Sequence, residues 1–308
     1  MYVEKRKAGK SIKYYLVYSY REGKEVRKVR KFLGTNLSPK DRESAIKKAK
    51  SAIKPELLEL RTEIFNFTLT KWQVDRLNQY DKQILIHHLQ KAEWKRFTEQ
   101  FTYNTNAIEG STVRLDEVDK ILHDKETRND DEIETKGVAK AVDFIRASKE
   151  ELSLELLRKL HNLCFQGSKH FAGEFRNVEV VVSDGMGNIV HSGVPSSHLH
   201  IALQELVDWH KNNRKKFGPL VLAAIIHNQF EHIHPFQDGN GRVGRLLLNY
   251  ILLKNKYPPI NISFEDRGEY YYTLQEYSKS QNLKPTVEFL IKQYNKTLEQ
   301  VTTKRKKR

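Results

Sequence analysis

The feature that most constrains the fold is the spacing of apolar residues between positions 56 and 301, where they recur every three or four residues. This period matches one face of an α-helix rather than the alternation of a half-buried strand. The segments with helical spacing are 72–98, 115–123, 131–149, 154–166, 198–214, 219–233, 242–254 and 285–301. The stretch 177–193 differs, because two β-prone runs flank DGMGN at 184–188, a strong hairpin signal. The sequence therefore predicts a mainly α domain that carries one β-hairpin.

A β-rich pattern precedes the helical domain. Residues 12–20 and 25–33 are rich in β-branched and aromatic residues, and Glu22-Gly23 predicts the turn between them. Ser38-Pro39 then predicts the start of a helix, with the serine as its N-cap. Helical spacing continues through Ala52. We therefore expect a small β-hairpin-and-helix module at the amino-terminal end.

The net charge of +15 is concentrated at the two ends of the chain. Residues 1–50 hold 16 lysines and arginines against five acidic residues, a net charge of +11, and KRKKR at 304–308 adds +5. The remaining 253 residues carry a net charge of −1. The predicted organisation is a basic module at 1–55, a helical domain at 56–301 and a basic tail at 302–308.

Basic segments of this kind suit a polyanion, either nucleic acid or an anionic membrane surface, although lysine-rich ends also serve solubility alone. The predicted second strand carries the cations Arg27, Lys28, Arg30 and Lys31. With the helix that follows, it resembles the small amino-terminal DNA-binding modules of phage-type integrases and some transposases. That resemblance implies a DNA or RNA partner for residues 1–50.

Composition also narrows the cellular setting. The longest apolar run, at 220–226, is far too short to span a bilayer, so no membrane partner is expected. No cleavable apolar segment follows the charged start of the sequence. The single cysteine, Cys164, cannot form an internal disulfide, and its apolar helical neighbours favour a buried packing role. These features predict a cytoplasmic protein, and they leave its oligomeric state open, with a homo-oligomer among the possibilities.

The stretch 234–245, HPFQDGNGRVGR, places polar chemistry between two apolar helical segments. Its glycines let backbone N–H groups converge at a helix start, which is an arrangement that binds phosphate. Arg242 and Arg245 share a face of that helix, and guanidinium groups match phosphate oxygens. Asp238 offers a hard oxygen ligand for Mg²⁺, and His234 has an ordinary pKa, about 6.5, that suits proton abstraction. This set predicts transfer of a phosphate-containing group to a hydroxyl.

At every specified position this stretch resembles the signature of the Fic family, and the resemblance extends from about Asn104 to Tyr250. It includes 173-GEFR-176 and 228-NQFEHIHPF-236. Most Fic proteins transfer AMP from ATP to a Ser, Thr or Tyr hydroxyl of another protein and release pyrophosphate. The resemblance implies a Fic-fold helical domain that uses ATP as its substrate and Mg²⁺ as its cofactor. The implied partner is a target protein with an acceptor hydroxyl.

The resemblance also implies a role for each residue of the signature. His234 is the general base, Asp238 binds Mg²⁺, and Phe236 anchors the loop on the core. The implied phosphate-binding residues are Gly239, Asn240, Gly241, Arg242 and Arg245. Among these, the glycines and the asparagine hold the α-phosphate region, whereas the two arginines hold the β- and γ-phosphates.

Residues 105–110, TNAIEG, resemble the inhibitory-helix pattern of Fic proteins in which that helix precedes the core. We expect the helix at about residues 100–110. The resemblance pairs Glu109 with Arg245, so that the carboxylate occupies the position of the γ-phosphate and inhibits the enzyme in cis. The alternative is an ordinary helix end with Gly110 as its C-cap.

The hairpin at 177–193 matches the position of the family's flap, which pairs its edge with the backbone of the target. Strand addition of this kind holds a target without demanding much of its side chains. The flap residues expected to dock the target are Val178, Val180, Val182, Ile189 and Val190. A surface hairpin without a binding role is the alternative.

Three other functions compete with AMP transfer. A zinc site at His227, His232 and His234 is disfavoured, because 231-EHIH-234 lacks the HExxH order. The reverse reaction, de-AMPylation at the same site, uses the inhibitory glutamate to orient a water. A nucleic-acid-binding regulator with a nucleotide-sensing Fic core is the third alternative, and the basic module keeps it open.

Overall fold

The computed structural model describes residues 2–9, 11–22, 25–62, 71–183 and 189–302. The chain divides into two compact units. One comprises Met1–Asn66 and Ser197–Ala202, and the other comprises Phe67–Ser196 and Leu203–Arg308. Three predicted features lie outside the described residues, namely Gly23 of the first turn, the hairpin turn at 184–188 and the tail from 303 onward. The predicted boundary between 55 and 56 stays a prediction.

The first unit contains a three-stranded antiparallel sheet and a helix. The strands β1 (Tyr2–Ala8), β2 (Ser11–Glu22) and β3 (Glu25–Thr35) follow one another across the sheet, and the helix α1 is Pro39–Thr62. Leu16 of β2 and Ala49 of α1 form a buried cluster, against which Val3 and Leu33 pack. The predicted hairpin and helix are both present. The sequence did not predict β1, whose few apolar residues give no strand signal and whose structure depends on pairing with β2.

Helix α1 begins where the sequence predicts. The backbone N–H of Asp41 donates to Ser38 Oγ at 3.2 Å, so Ser38 satisfies one of the free N–H groups of the first turn. The helix continues to Thr62, beyond the predicted end at Ala52.

The described helices after residue 66 are α2 (Lys71–Asn78), α3 (Lys91–Ile108), α4 (Leu115–His123), α5 (Asp130–Ala147), α6 (Leu154–Phe165), α7 (Leu199–Asn213), α8 (Pro219–Ile233), α9 (Asn240–Lys254), α10 (Arg267–Ser280) and α11 (Lys284–Thr302). A short antiparallel pair, β4 (Val181–Ser183) and β5 (Ile189–Ser192), lies between α6 and α7 in the chain. The mainly α class and the small β-hairpin confirm the fold predicted from the sequence.

Helices α8 and α9 form the centre of the second unit. Residues 220–230 of α8 are all buried, which explains why its apolar run has no polar face. Helices α3, α5 and α6 pack against α9, and α10 and α11 pack against α8. Cys164 of α6 is buried and free, as its apolar neighbours predicted. None of the helices in the described ranges combines the length and apolarity needed to cross a bilayer.

The predicted helix at 72–98 is wrong, because the chain breaks between α2 and α3. A short 3-10 turn at Tyr80–Gln83 places Asp81 so that its carboxylate accepts the N–H of Leu220 at 2.8 Å. Asn78 accepts the N–H of Gly218 at 2.8 Å. The residues at this break therefore accept hydrogen bonds from the free N–H groups at the N-terminus of α8. Helical spacing in the sequence does not reveal such a contact between distant segments.

Candidate active site

The signature stretch forms the junction between α8 and α9. His234 adopts a left-handed conformation with φ of 53° at the end of α8, and Gly239 has φ of 81° just before α9. Two left-handed residues reverse the chain within a few positions, and Gly239 does so without the steric cost of a Cβ. Helix α9 starts at Asn240, two positions before the predicted start at Arg242. The free N–H groups of its first turn therefore lie inside the signature.

Side chains from within and outside the loop hold it rigidly. Phe236 is fully buried, as the anchor role requires. The Asn240 side chain accepts the N–H of Phe236 and donates to its carbonyl, both at 2.8 Å. The His161 ring stacks on Phe236 with centroids 3.9 Å apart, and its Nε2–H donates to the Asp238 carbonyl at 3.0 Å. The structure thus gives the Asn240 side chain a bracing role, and His161 is a positioning residue that the sequence did not reveal.

Arg176 links the loop to the base of the hairpin. Its buried guanidinium donates from Nε to the His234 carbonyl at 2.7 Å and from Nη2 to the Val194 carbonyl at 2.5 Å. A third bond runs from Nη1 to the Val178 carbonyl at 2.7 Å. Arg176 is the last residue of the GEFR run, so that run is part of the scaffold of the site.

The surroundings of His234 keep its imidazole neutral. Its Nδ1 lies 3.2 Å from the Glu231 carbonyl, which can only accept, so Nδ1 carries the proton and Nε2 keeps a free lone pair. Burial lowers the pKa of His234 to about 4 against an opposing contribution from the Glu231 carbonyl, and the charge of Arg176 contributes a smaller part of the decrease. The imidazole is therefore neutral at pH 7 and able to accept a proton at Nε2.

Arg245 lies in the second turn of α9, with 2% of its side chain exposed. It donates from Nε to Thr105 Oγ1 at 2.7 Å, and from Nη2 to the Thr105 carbonyl at 2.9 Å and to Glu109 Oε1 at 2.7 Å. Burial alone would lower the pKa of Arg245, but the Glu109 carboxylate raises it above the ordinary value. A Cβ on Gly241 would collide with Glu109 Oε1. The structure therefore brings the predicted pair together and seats its carboxylate against the first turn of α9.

A second carboxyl group, which the sequence did not single out, lies close to this pair. Glu231 has a buried Oε1 without a hydrogen-bond partner, and a Cβ on Gly244 would collide with that oxygen. Burial raises the pKa of Glu231 to about 8, while Arg245 lowers it and Glu109 raises it. Glu231 is therefore mostly protonated at pH 7. Glu109, rather than Glu231, forms the ion pair with Arg245.

The structure does not bring Arg242 to the cavity. Its guanidinium forms a buried ion pair with Glu134 and lies over the Phe165 ring at 4.3 Å. The predicted phosphate contact of Arg242 stays a prediction. Asp238 is 46% exposed, with its carboxylate 3.8 Å from Arg242 and 3.6 Å from Lys169.

A preformed metal centre is absent from the described residues, where no three His, Cys, Asp or Glu side chains cluster suitably. Asp238 fits Mg²⁺ in another way, because this ion commonly takes one carboxylate and completes its shell with waters and substrate phosphates. The exposed carboxylate of Asp238, next to the first turn of α9 with its free N–H groups, meets that requirement.

A cavity of about 610 Å³ contains His234, Asp238, Gly241, Arg245 and Glu109 in its wall. This volume lies in the range of small-molecule sites. Helix α10 supplies the facing wall through residues such as Tyr270, Tyr271 and Leu274. The sequence did not predict α10, because its run of tyrosines obscures the helical spacing of Tyr270, Leu274 and Tyr277.

The hairpin supplies the outer wall. Val182, Val190 and His191 line the cavity, and His191 Nε2 donates to the His232 carbonyl at 2.8 Å. Two of the predicted flap residues, Val178 and Val180, precede β4 and are not in the strand pair, which corrects the predicted strand start. Ile189 pairs with Ser183 and is 64% exposed. The hydrogen bond from His191 fastens the hairpin to the loop, a contact that the sequence did not predict.

Comparison with known proteins agrees with this geometry. The Fic/DOC family profile matches residues 151–252. The chain is 32% identical over 209 residues to "Protein adenylyltransferase Fic" of Drosophila willistoni, covering 65% of this chain and 41% of that protein. It is 29% identical over 211 residues to the protein of the same name from Nematostella vectensis, covering 65% and 48%. The chain thus spans less than half the length of these curated relatives.

Solved structures share the fold. The crystal structure of a Fic-domain-containing signaling protein from Bacteroides thetaiotaomicron superposes with a TM-score of 0.62 at 24% identity, covering 74% of this chain and 96% of that one. Fic-1 from C. elegans superposes with a TM-score of 0.58 at 23% identity, covering 86% and 77%. The complete signature and the profile match identify residues 151–252 as a Fic/DOC domain, and the solved structures share its fold.

Proposed function

We propose that this protein is an adenylyltransferase that transfers AMP from ATP to a Ser, Thr or Tyr hydroxyl of a target protein and releases pyrophosphate. The observation that carries the proposal is a neutral histidine with a free Nε2 beside an anion-binding helix start. The curated relatives named protein adenylyltransferase support the same reaction.

The phosphates of ATP would lie at the N-terminus of α9. Free N–H groups of a first helical turn bind anions, and Gly241 leaves room for a close approach. Arg245 would hold the terminal phosphate once Glu109 leaves, because its guanidinium is already fixed by Thr105. Asp238 would hold Mg²⁺, which supplies charge neutralisation to the phosphates when bound.

The reaction at His234 follows from its protonation state. The target hydroxyl oxygen forms a bond to the α-phosphorus, the bond from that phosphorus to the bridging oxygen breaks, and pyrophosphate leaves. His234 Nε2 accepts the hydroxyl proton as this happens. Arg176, which holds the His234 carbonyl, keeps the imidazole oriented. Positioning and charge stabilisation provide most of the acceleration in such phosphoryl-type transfers.

The target protein would dock on the hairpin. Val181, Ile189 and Val190 are 53%, 64% and 37% exposed, so the strand pair presents apolar side chains beside the cavity. An extended target segment that adds to this hairpin would bring its hydroxyl towards His234.

The resting site is proposed to be inhibited in cis. Glu109 Oε1 occupies the space over Gly241 and binds Arg245 at 2.7 Å, where the terminal phosphate would otherwise lie. The same observation favours a second candidate function, the removal of AMP from a modified target. A carboxylate held by Arg245 inside the cavity could orient a water for that hydrolysis.

Labelling with α-labelled ATP tests the proposal. Full-length protein, Mg²⁺ and a lysate should yield labelled protein, and His234→Ala should lose about a hundred- to ten-thousand-fold of that rate. His123→Ala is the matched control, because His123 lies on the surface of α4 and is 70% exposed. Near wild-type labelling by His234→Ala would reject the general-base assignment. Release of AMP from a premodified target, without labelling, would favour the reverse reaction.

A further inference from the structure

The cavity extends from Arg245 along α10. The Arg245 guanidinium lies over the Tyr270 ring at 5.7 Å from its centroid, and Ser278 follows eight residues later in the same helix. At 1.5 Å per residue, Ser278 lies about 12 Å further along α10. Because Tyr270 and Ser278 both line the cavity, it reaches well beyond the first turn of α9. We call the part lined by Val190, Asn228, Leu274 and Ser278 the far end of the cavity.

Asn228 of α8 places a buried amide in the wall of the far end. The residue is 2% exposed, and its Nδ2 donates to Thr286 Oγ1 of α11 at 3.0 Å, which fixes the orientation of the amide. Its Oδ1 is buried and has no hydrogen-bond partner among the described residues. The next residue, Gln229, donates to the Tyr277 hydroxyl, so this part of α8 lies beside the last turns of α10.

Two other buried side-chain atoms without a partner belong to the described wall of the cavity, and both lie near the start of α9. Glu231 Oε1 lies beside Gly244, and Arg245 Nη1 lies beside Gly241. At the far end, the acceptor left for a ligand is therefore Asn228 Oδ1. A buried acceptor without a partner costs free energy, which a donor group on a ligand would recover.

We propose that Asn228 selects adenine among nucleotide bases by accepting a hydrogen bond from the exocyclic amino group of the base. This inference rests on the proposed function and adds the residue that reads the base. A nucleotide whose phosphates lie at the first turn of α9 extends its base along α10 to the far end. There the side chains of Val190 and Leu274 offer apolar contacts to the faces of the base. Adenine carries an amino donor at position 6, whereas guanine carries an acceptor oxygen there, which Asn228 Oδ1 repels.

Isothermal titration calorimetry of the full-length chain with ADP and with inosine diphosphate tests the proposal. Inosine diphosphate has an oxygen where adenine has its amino group, and both ligands lack the terminal phosphate with which Glu109 competes. The wild type should bind ADP about 10- to 100-fold more tightly than inosine diphosphate, because the oxygen leaves Asn228 Oδ1 unpaired.

Three variants separate base selection from general packing. Asn228→Leu removes the acceptor and should reduce the preference for ADP to about threefold or less. Asn228→Asp keeps an oxygen at the same position and should retain the preference for ADP. Asn213→Leu is the matched control, because Asn213 lies at the end of α7, outside the cavity wall, and donates to the Trp209 carbonyl at 2.9 Å. Its ratio of affinities should equal that of the wild type.

The wild-type protein alone is enough to reject the assignment. Equal affinities for the two diphosphates, tighter binding of inosine diphosphate, or no binding of either would overturn it. An unchanged ratio in Asn228→Leu would also overturn it. The transfer of AMP is tested separately by labelling from ATP. A preference for ADP that depends on Asn228, without any labelling from ATP, would support base selection and reject the proposed transfer.

Discussion

Replacing Glu109 with glycine is expected to raise the rate of AMP transfer by releasing Arg245. In the resting protein Arg245 is 2% exposed and the Glu109 side chain is 28% exposed, with Nη2 and Oε1 2.7 Å apart. A hydrogen bond between charged groups contributes about 1.5–3 kcal/mol, and the partial exposure of Glu109 argues for about 1.5–2 kcal/mol. Because 1.4 kcal/mol is a tenfold change, the freed arginine should bind the terminal phosphate about 10- to 30-fold better.

The assay is the initial rate of labelling from α-labelled ATP, at sub-saturating ATP and saturating Mg²⁺. Ala107→Gly is the matched control, because it loosens the same helix end by up to about 1 kcal/mol without changing charge. It should show little activation. Glu109→Gln keeps the shape of the side chain and should activate through loss of charge.

Arg245 provides the decisive comparison. The double variant Glu109→Gly with Arg245→Ala should return to little activity, because the freed site lacks the guanidinium that holds ATP. The two changes are therefore expected to be strongly non-additive. An unchanged or slower rate for Glu109→Gly would refute inhibition in cis. If it slows only the release of AMP from a modified target, hydrolysis becomes the leading function.

Further predictions concern protons and the support of the loop. The His234 pKa of about 4 predicts that kcat/KM is flat from pH 6 to 8 and falls as the pH drops through about 4. A midpoint near 6.5 in the pH–rate profile would contradict the lowered pKa. Burial also lowers the pKa of His161 to about 4. In the unfolded chain this histidine is protonated as pH drops through about 6.5, whereas in the folded protein it stays neutral until about pH 4. The free energy of unfolding, measured by urea denaturation, should therefore fall between these pH values. His161→Phe keeps the stacking on Phe236 but leaves the Asp238 carbonyl and the Gly173 N–H without their hydrogen-bond partner. Each unpaired group should lower the free energy of unfolding by about 1–3 kcal/mol. A urea denaturation curve that matches wild type would exclude the bracing role of His161.

Local patterns in the sequence were enough to predict most of the helices and the chemistry of the loop. A glycine-rich helix start, a histidine and an arginine lie within twelve consecutive residues, so their proximity does not depend on the rest of the fold. The start of α1 at Ser38-Pro39 is similarly local, because a cap and its N–H groups are neighbours in the chain. The pairing of Glu109 with Arg245 followed from family resemblance rather than from any local rule.

Contacts between distant segments required the tertiary structure. The break before α3 places Asp81 at the start of α8, although helical spacing alone predicts an unbroken helix there. Helix α10 brings Tyr270 to the cavity, and Glu134 of α5 holds Arg242 away from it. The low pKa of His234 likewise arises from burial by segments remote in sequence. Periodicity and capping report interactions within a few residues, whereas burial, ion pairing and desolvation depend on which surfaces the folded chain brings together.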